Sequence, residues 1–397
     1  MITQLIKKQL EEHKNQAILI GSANYPFPMV LKSRIYPFDL NAAEYTIDNR
    51  IFPGCDILNT IEEKGNRLSQ DFLHLGNQYK TILSAYSGTQ ANQIIYNAVL
   101  NKGDVVLSFG ENSGGHASHL AFLKKYYQVI EYEFDFIQGI NYESLANLIQ
   151  KFRPKLVIAG STLFPDSFDY KIIGKICRQY NALLLADISH TALYVSTGAH
   201  PEVRNNADFI TYTTHKTTRG IRSAILHYKE EFQHLMTESV SSVSQGAPKY
   251  SDILCNTIMQ EELKNINLAQ YEDSIFSHCK HFKKMAEDRG VETIGNGNSH
   301  LLLLRLNKNE LYGISLKNHL EKNNILVTCH GNYEHEVLRL GFLTFATLKI
   351  SYKDAEEIFG MILDIIKRKN SSISIQSNIM KIMRKYTTSF YEENYGL

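Results

Sequence analysis

Between Thr81 and Tyr228, short apolar runs alternate with amphipathic stretches, and this alternation limits the possible folds more than any other feature of the chain. TILSAY (81–86), DVVLSF (104–109), YQVIEYEF, KLVIAG (155–160), ALLLADIS (182–189), DFITYTT and SAILHY (223–228) read as strands. GTQANQIIYNAVL, HLAFLKKY (119–126), YESLANLIQKF and YKIIGKICRQY lie between them with helical spacing. ALLLADIS is almost continuously apolar, as a strand covered on both faces must be. The alternation predicts an α/β fold, a mostly parallel central sheet flanked by helices. Polar residues gather where the strands end, and open sheets of this class hold ligands there.

The pattern changes at about residue 245. Residues 250–290 look largely helical, and SHLLLLRL, NILVT and EVLRLGFLTFATLK then alternate with YGISLKNHLEKN and DAEEIFGMILDIIKR. This predicts a large domain over 16–245 and a smaller C-terminal α+β domain over 246–370. Residues 1–15 are expected to form a helix or dimer arm, and 371–397 a partly helical tail. NTIEEKGNRLSQDFLHL (59–75) is helical in pattern, and AILIGSANYPFPMVL extended with turns.

Composition narrows the function classes. Lys and Arg total 42 against 41 Asp and Glu, whereas wrapping nucleic acid usually requires a positive excess. The five cysteines are scattered without a CxxC pair, which argues against a disulfide framework or a thiolate zinc site. MITQLIKKQLEEHKNQ carries charges where a signal peptide needs an apolar run, and no window reaches a membrane span. A cytoplasmic protein with neither nucleic-acid nor membrane partners is the expectation.

Four residues stand at or just past the ends of core strands: Thr162 after KLVIAG, Asp187 and His190 in ALLLADISH, and Lys216 after DFITYTT. If those strands are neighbours, the side chains converge on one crevice. A carboxylate at the end of an apolar strand costs several kcal/mol unless paired. It either caps the following turn or bonds a protonated ring nitrogen. Pyridoxal phosphate accounts for the whole set, because it needs an amine to form an imine and an acid beside its pyridine nitrogen. It also needs phosphate donors at a helix start, which Ser87, Gly88 and Thr89 of SGTQAN would supply, although S-G-T also caps ordinary helices. In GGHASH, glycines ahead of His116 would let the chain approach a flat ligand, with the imidazole against the ring face. His116 and His119, with His190 or His215, also suit zinc, but the acid and lysine fit a cofactor imine better. His190 and His215 join the cofactor set, with satisfied structural histidines as the alternative. Arg339, inside apolar LRLG, needs a planar anion: a substrate carboxylate or an internal acid.

Together these residues resemble the serine hydroxymethyltransferase family, of the aspartate-aminotransferase-like fold-type I pyridoxal phosphate enzymes, over about residues 16–360. ADFITYTTHKTTRGIRSAIL resembles the family's lysine segment and ALLLADISHTALYVSTGAHP its aspartate segment. The resemblance implies Lys216 as the Schiff-base residue, Asp187 on the pyridine nitrogen and His190 near the phenolic oxygen. It also implies His116 as the ring-stacking histidine, SGTQAN as the phosphate cup, Thr162 where the family usually has serine, and Arg339 as the carboxylate residue. IGSANY resembles a Ser-Glu-Asn segment, so Ser22 remains as a substrate residue and Ala23 replaces the acid. Counting back from IFPGCD aligns Glu44 with the family's proton-handling glutamate, and puts Phe52 where a tyrosine hydroxyl is expected. QGAP resembles the loop that a second subunit lends to the phosphate site, which implies Gly246 as a cofactor residue and a homodimer with shared sites.

NILVTCHGNYEHEVLRLG is several residues shorter than the family's stretch before the carboxylate arginine, which leaves the use of tetrahydrofolate open. The expected chemistry is Cα–Cβ cleavage or formation on a small amino acid such as serine, glycine or threonine. An amino-acid racemase or aminotransferase is the alternative, since both also begin at Cα. A scaffold that had lost its chemistry should lack Lys216 or Asp187.

Overall fold

Val106, Leu107, Leu156, Val157, Ile158, Leu184, Leu185 and Ala186 are all completely buried, as strands covered on both faces require. The computed structural model describes residues 1–40, 42–135, 138–306, 313–330, 337–368 and 374–396. The chain divides into two units, Tyr25–Leu268 and Met1–Asn24 with Ala269–Leu397.

The first unit is built on a seven-stranded sheet: β1 (Tyr79–Ala85), β2 (Val105–Phe109), β3 (Gln128–Tyr132), β4 (Leu156–Ala159), β5 (Leu183–Asp187), β6 (Phe209–Thr213) and β7 (Ala224–Lys229). Its strand order is β1-β7-β6-β5-β4-β2-β3. Strands β2 to β6 pair in parallel, while β7 runs antiparallel to both β6 and β1. The expected mostly parallel α/β sheet is therefore present. Strands β4, β5 and β6 are adjacent, which brings the ends bearing Thr162, Asp187 and Lys216 side by side.

The helix Gly88–Val99 covers part of the sheet because Ala91, Ile94, Ile95 and Val99 share one face. They pack with Val106, Leu156, Ile158, Leu185 and Phe209. Each fully buried isoleucine contributes about 1.5–3 kcal/mol. Ser87 caps this helix, accepting the Gln90 amide at 3.2 Å. HLAFLKKY is helical only over Leu123–Tyr126. The residues before it form turns, because Ser118 and His119 send their side chains inward to Asn92 and Asp187.

The second unit has a four-stranded antiparallel sheet ordered Thr328–His330, Val337–Gly341, Leu301–Arg305 and Thr293–Ile294. NILVT gives two short strands, Ile325–Leu326 and Thr328–His330, and the first pairs in parallel with Ala17–Ile18. EVLRLGFLTFATLK splits into the strand Val337–Gly341 and the helix Leu343–Leu348. Phe282 stacks on Phe359 at 4.4 Å, at the heart of a Phe cluster with Phe342 and Phe345. The C-terminal tail is largely one helix, Ser374–Tyr395. It is tied to the N-terminal helix Ile2–Lys14 and the Asn15 after it by Arg384 Nε to Asn15 Oδ1 (2.6 Å) and Thr387 Oγ1 to the Lys14 carbonyl (2.8 Å). Among the described residues no helix is long and apolar enough to cross a membrane.

Candidate active site

Lys216 stands in a loop held rigid by its threonines. Thr214 Oγ1 donates to the Ile221 carbonyl at 2.7 Å, and Thr218 Oγ1 to the Thr214 carbonyl at 2.8 Å. Thr214, Thr217 and Thr218 are completely buried. The opening apolar run of this segment is thus a buried strand, and its threonines anchor the turn that presents the lysine. A surface lysine needs no such frame.

Asp187 ends β5 next to it. Its Oδ2 accepts from Asn92 Nδ2 at 3.1 Å and His119 Nε2 at 3.0 Å, and its Oδ1 accepts from the Ser189 amide at 3.1 Å. Burial pushes this carboxyl up. The His119 bond and charge, the Ser189 side chain and the Lys216 ammonium outweigh burial and hold it well below the usual carboxylate range. Asp187 is therefore an anion inside the protein. Asn92 is itself oriented, since Thr211 Oγ1 donates to its Oδ1 at 2.9 Å.

His116 is fixed at Nδ1 by the Ser118 amide (3.2 Å) and lies 2.9 Å from Ser118 Oγ. Burial lowers its pKa, with a further push from His119, so a neutral ring is favoured. The glycines before it serve the protein backbone itself. Gly114 has φ +73°, and a Cβ at Gly115 would collide with the Phe109 carbonyl oxygen. They let the His116 loop cross the ends of β2 and β4.

One cavity gathers Gly88, Asn92, His116, His119, Thr162, Asp187, Ser189, His190, Thr213 and Lys216. Thr162 lines it while its hydroxyl donates to the Gly114 carbonyl at 3.0 Å. His190 lines it and is 7% exposed. Ser87 and Thr89 flank Gly88 at the helix start without lining the cavity. His215 also lies outside it. His215 Nε2 accepts from Arg222 Nη1 at 3.3 Å, and burial with the Lys216 and Arg222 charges takes its pKa down to about 3.

Glu44 and Gly246 are not in that cavity either. Gly246 (φ +74°) lines a second cavity of about 410 Å³, together with Tyr45, Thr46, Arg50, Glu62 and Gln245. Glu44 directly precedes Tyr45 and is half-buried.

In the other unit, Arg339 is 5% exposed and its Nε donates to Thr328 Oγ1 at 3.2 Å. Burial lowers its pKa to about 10, which leaves it charged at neutral pH. A Cβ at Gly21 would come within 3.0 Å of Arg339 Nε, so the chain just before Ser22 lies directly on the guanidinium. The stretch before Arg339 that bears on folate includes residues 331–336, which lie outside the described residues.

The sequence does not mark Asn92 as a site residue, and its spacing offers His119 only as half of a zinc pair. Among the described residues no group of three His, Cys, Asp or Glu is placed to hold a metal, and His119 is committed to Asp187. The available signal for Asn92 was its position on the buried face of Gly88–Val99, where an amide requires a polar partner.

The donor set fits pyridoxal phosphate. An ionised aspartate suits a protonated pyridine nitrogen, a lysine amine an aldehyde, and the backbone at Gly88 an anion. The family model described as serine hydroxymethyltransferase matches residues 1–359. The serine hydroxymethyltransferase of Phytoplasma australiense is 30% identical over 405 residues, covering 98% of this chain and 97% of that protein.

Proposed function

Because the chain belongs to the serine hydroxymethyltransferase family, we propose that it makes and breaks the Cα–Cβ bond of small amino acids. Serine with glycine, or threonine with glycine and acetaldehyde, are the exchanges that suit the site. The family is pyridoxal phosphate-dependent, of fold type I, and acts on small amino acids. The observation that carries the proposal is the presence of Lys216 and the anionic Asp187 in one cavity at the ends of β5 and β6.

Pyridoxal phosphate supplies, when bound, an electron-accepting ring conjugated to the substrate nitrogen. In this reading Lys216 would supply the amine that holds the aldehyde, and Asp187 would keep the ring nitrogen protonated through the Oδ1 side, which accepts the Ser189 N–H. His116 would cover the ring face and His190 would stand at its phenolic edge. Ser87, Gly88, Thr89 and Gly246 would serve the phosphate, and Thr162 and His215 would complete the cofactor set. Arg339 would grip the substrate carboxylate with Ser22 beside it, and so help to select the bond at Cα that reacts. Glu44 takes and returns the β-hydroxyl proton.

A homodimer with shared sites accounts for the separation of Glu44 and Gly246 from the Lys216 cavity: a second copy would supply both. Exposed Ile35, Leu40, Ile51 and Ile57, on the same stretch as Glu44, supply apolar surface for it. A cytoplasmic location suits the five thiols, none of which is in a disulfide.

Tetrahydrofolate as the one-carbon acceptor is part of the proposal and is directly testable. Purified protein loaded with pyridoxal phosphate is given serine with and without tetrahydrofolate. Glycine formed only with folate supports the transferase. No glycine from serine or threonine in either condition would overturn Cα–Cβ chemistry in favour of an amino-acid racemase or aminotransferase. Phe52 favours that second reading, since a phenyl ring cannot hand on a proton where the family has a tyrosine.

A further inference from the structure

Glu44 sits on a turn whose geometry is fixed from one side by a single guanidinium. Arg50 Nη1 donates to the Ala43 carbonyl at 2.5 Å and also to the Tyr45 carbonyl, the two peptide oxygens flanking Glu44. Its Nη2 pairs with Glu62 Oε2, and its Nε donates to Asn59 Oδ1 at 3.2 Å. The guanidinium lies 5.5 Å from the centre of the Tyr250 ring, and the Tyr250 hydroxyl donates to the same Glu62 oxygen at 3.1 Å. The Arg50 side chain is 6% exposed and that of Glu62 14%. Tyr45 is held at φ +68°, a conformation that a bulky residue adopts only when its surroundings impose it. Among the described residues the Glu44 carboxylate has no hydrogen-bond or ion-pair partner of its own, so the turn governs where it points.

We propose that Arg50 is a positioning residue for Glu44: by holding both neighbouring carbonyls it fixes the direction of the carboxylate that moves the substrate's hydroxyl proton. This rests on the reading of Glu44 given above. A guanidinium spans two carbonyls, an asparagine and a carboxylate with one planar fork, and an ammonium cannot. Lysine at position 50 therefore keeps the charge for Glu62 but loses the two-sided grip.

The test is steady-state kinetics of serine-to-glycine conversion with tetrahydrofolate on the pyridoxal phosphate-loaded protein. The variants are Glu44→Gln, Arg50→Lys, the double variant and Glu62→Gln. Glu44→Gln should lower kcat by about 100-fold, the scale of a positioned proton-transfer group. Arg50→Lys should lower kcat ~10-fold or more, with the serine KM within ~3-fold and borohydride labelling of Lys216 unchanged. The double variant should be no slower than Glu44→Gln alone, because a misdirected glutamine has no proton transfer left to lose. Glu62→Gln, which leaves both carbonyl bonds in place, should stay within ~3-fold of the parent. If Arg50→Lys does not fold, Arg50→Gln with Glu62→Gln leaves no buried charge unpaired and is compared with Glu62→Gln alone.

Normal kcat in Arg50→Lys while Glu44→Gln is impaired, or losses that multiply in the double variant, would overturn the positioning role alone. Normal kcat in Glu44→Gln would remove the role of Glu44, and this proposal with it.

Discussion

Removing the Asn92 amide should weaken both the fold and the hold on the cofactor. Asn92 is 1% exposed, donates to the Asp187 carboxylate at 3.1 Å and accepts from Thr211 at 2.9 Å. Asn92→Ala takes a donor from an ionised group, worth about 1.5–3 kcal/mol, and leaves the buried Thr211 hydroxyl without its acceptor, worth about 1–3 kcal/mol. Water entering the space offsets part of this, so the net loss should be about 2–4 kcal/mol. Urea unfolding followed by circular dichroism, with and without saturating pyridoxal phosphate, measures it as a lower midpoint at unchanged slope.

Asn92→Asp is the sharper companion. It is nearly isosteric but places a second carboxyl against Asp187, and two such groups share a proton. It should bind pyridoxal phosphate more weakly than Asn92→Ala at neutral pH and recover as the pH falls towards ~5. An alanine variant that unfolds within ~0.5 kcal/mol of the parent and holds the cofactor equally well would refute the claim that this network sets the state of Asp187.

Arg339→Ala should raise the KM for amino-acid substrates ~30-fold or more, since truncating one member of a buried charged contact costs at least about 2 kcal/mol; an unchanged KM removes the carboxylate role. His227 is completely buried and burial takes its pKa down to about 3, so it is neutral in the fold. The unfolded chain binds that proton first, so stability is full above the ordinary histidine range and falls as the pH drops through it, by about 3 kcal/mol between pH 7 and pH 4. His227→Gln should flatten that acid limb in urea unfolding measured across pH, and an identical limb in the variant contradicts the assignment.

The sheet was legible in the sequence because its strands are apolar on both faces and short helices intervene. YESLANLIQKF is helical over its full length as read, Tyr142–Phe152. HLAFLKKY misled because its apolar spacing is helical while Ser118 and His119 are drawn into the site. NILVT reads as one strand, yet its pairing changes at Val327, from Ala17–Ile18 on one side to Val337–Gly341 on the other. The terminal helix Ser374–Tyr395 was unreadable as a unit because its apolar stripe has meaning only against the helices it packs on. Lys216, Asp187 and His190 were legible through position: each stands at a strand end in an otherwise apolar or threonine-rich run. Asn92 and His119 were not, because their function is to orient another side chain across the sheet, and nothing in local spacing encodes a partner 95 or 68 residues away. Arg50 was hidden for the same reason, since what distinguishes it is which carbonyls it reaches.

The most direct measurement is borohydride reduction of the pyridoxal phosphate-loaded protein, followed by peptide mass spectrometry. The account predicts one pyridoxyl group per chain, on Lys216, and none in Lys216→Ala. A pyridoxyl group on another lysine, or no adduct at all in protein that has retained the cofactor, would contradict it.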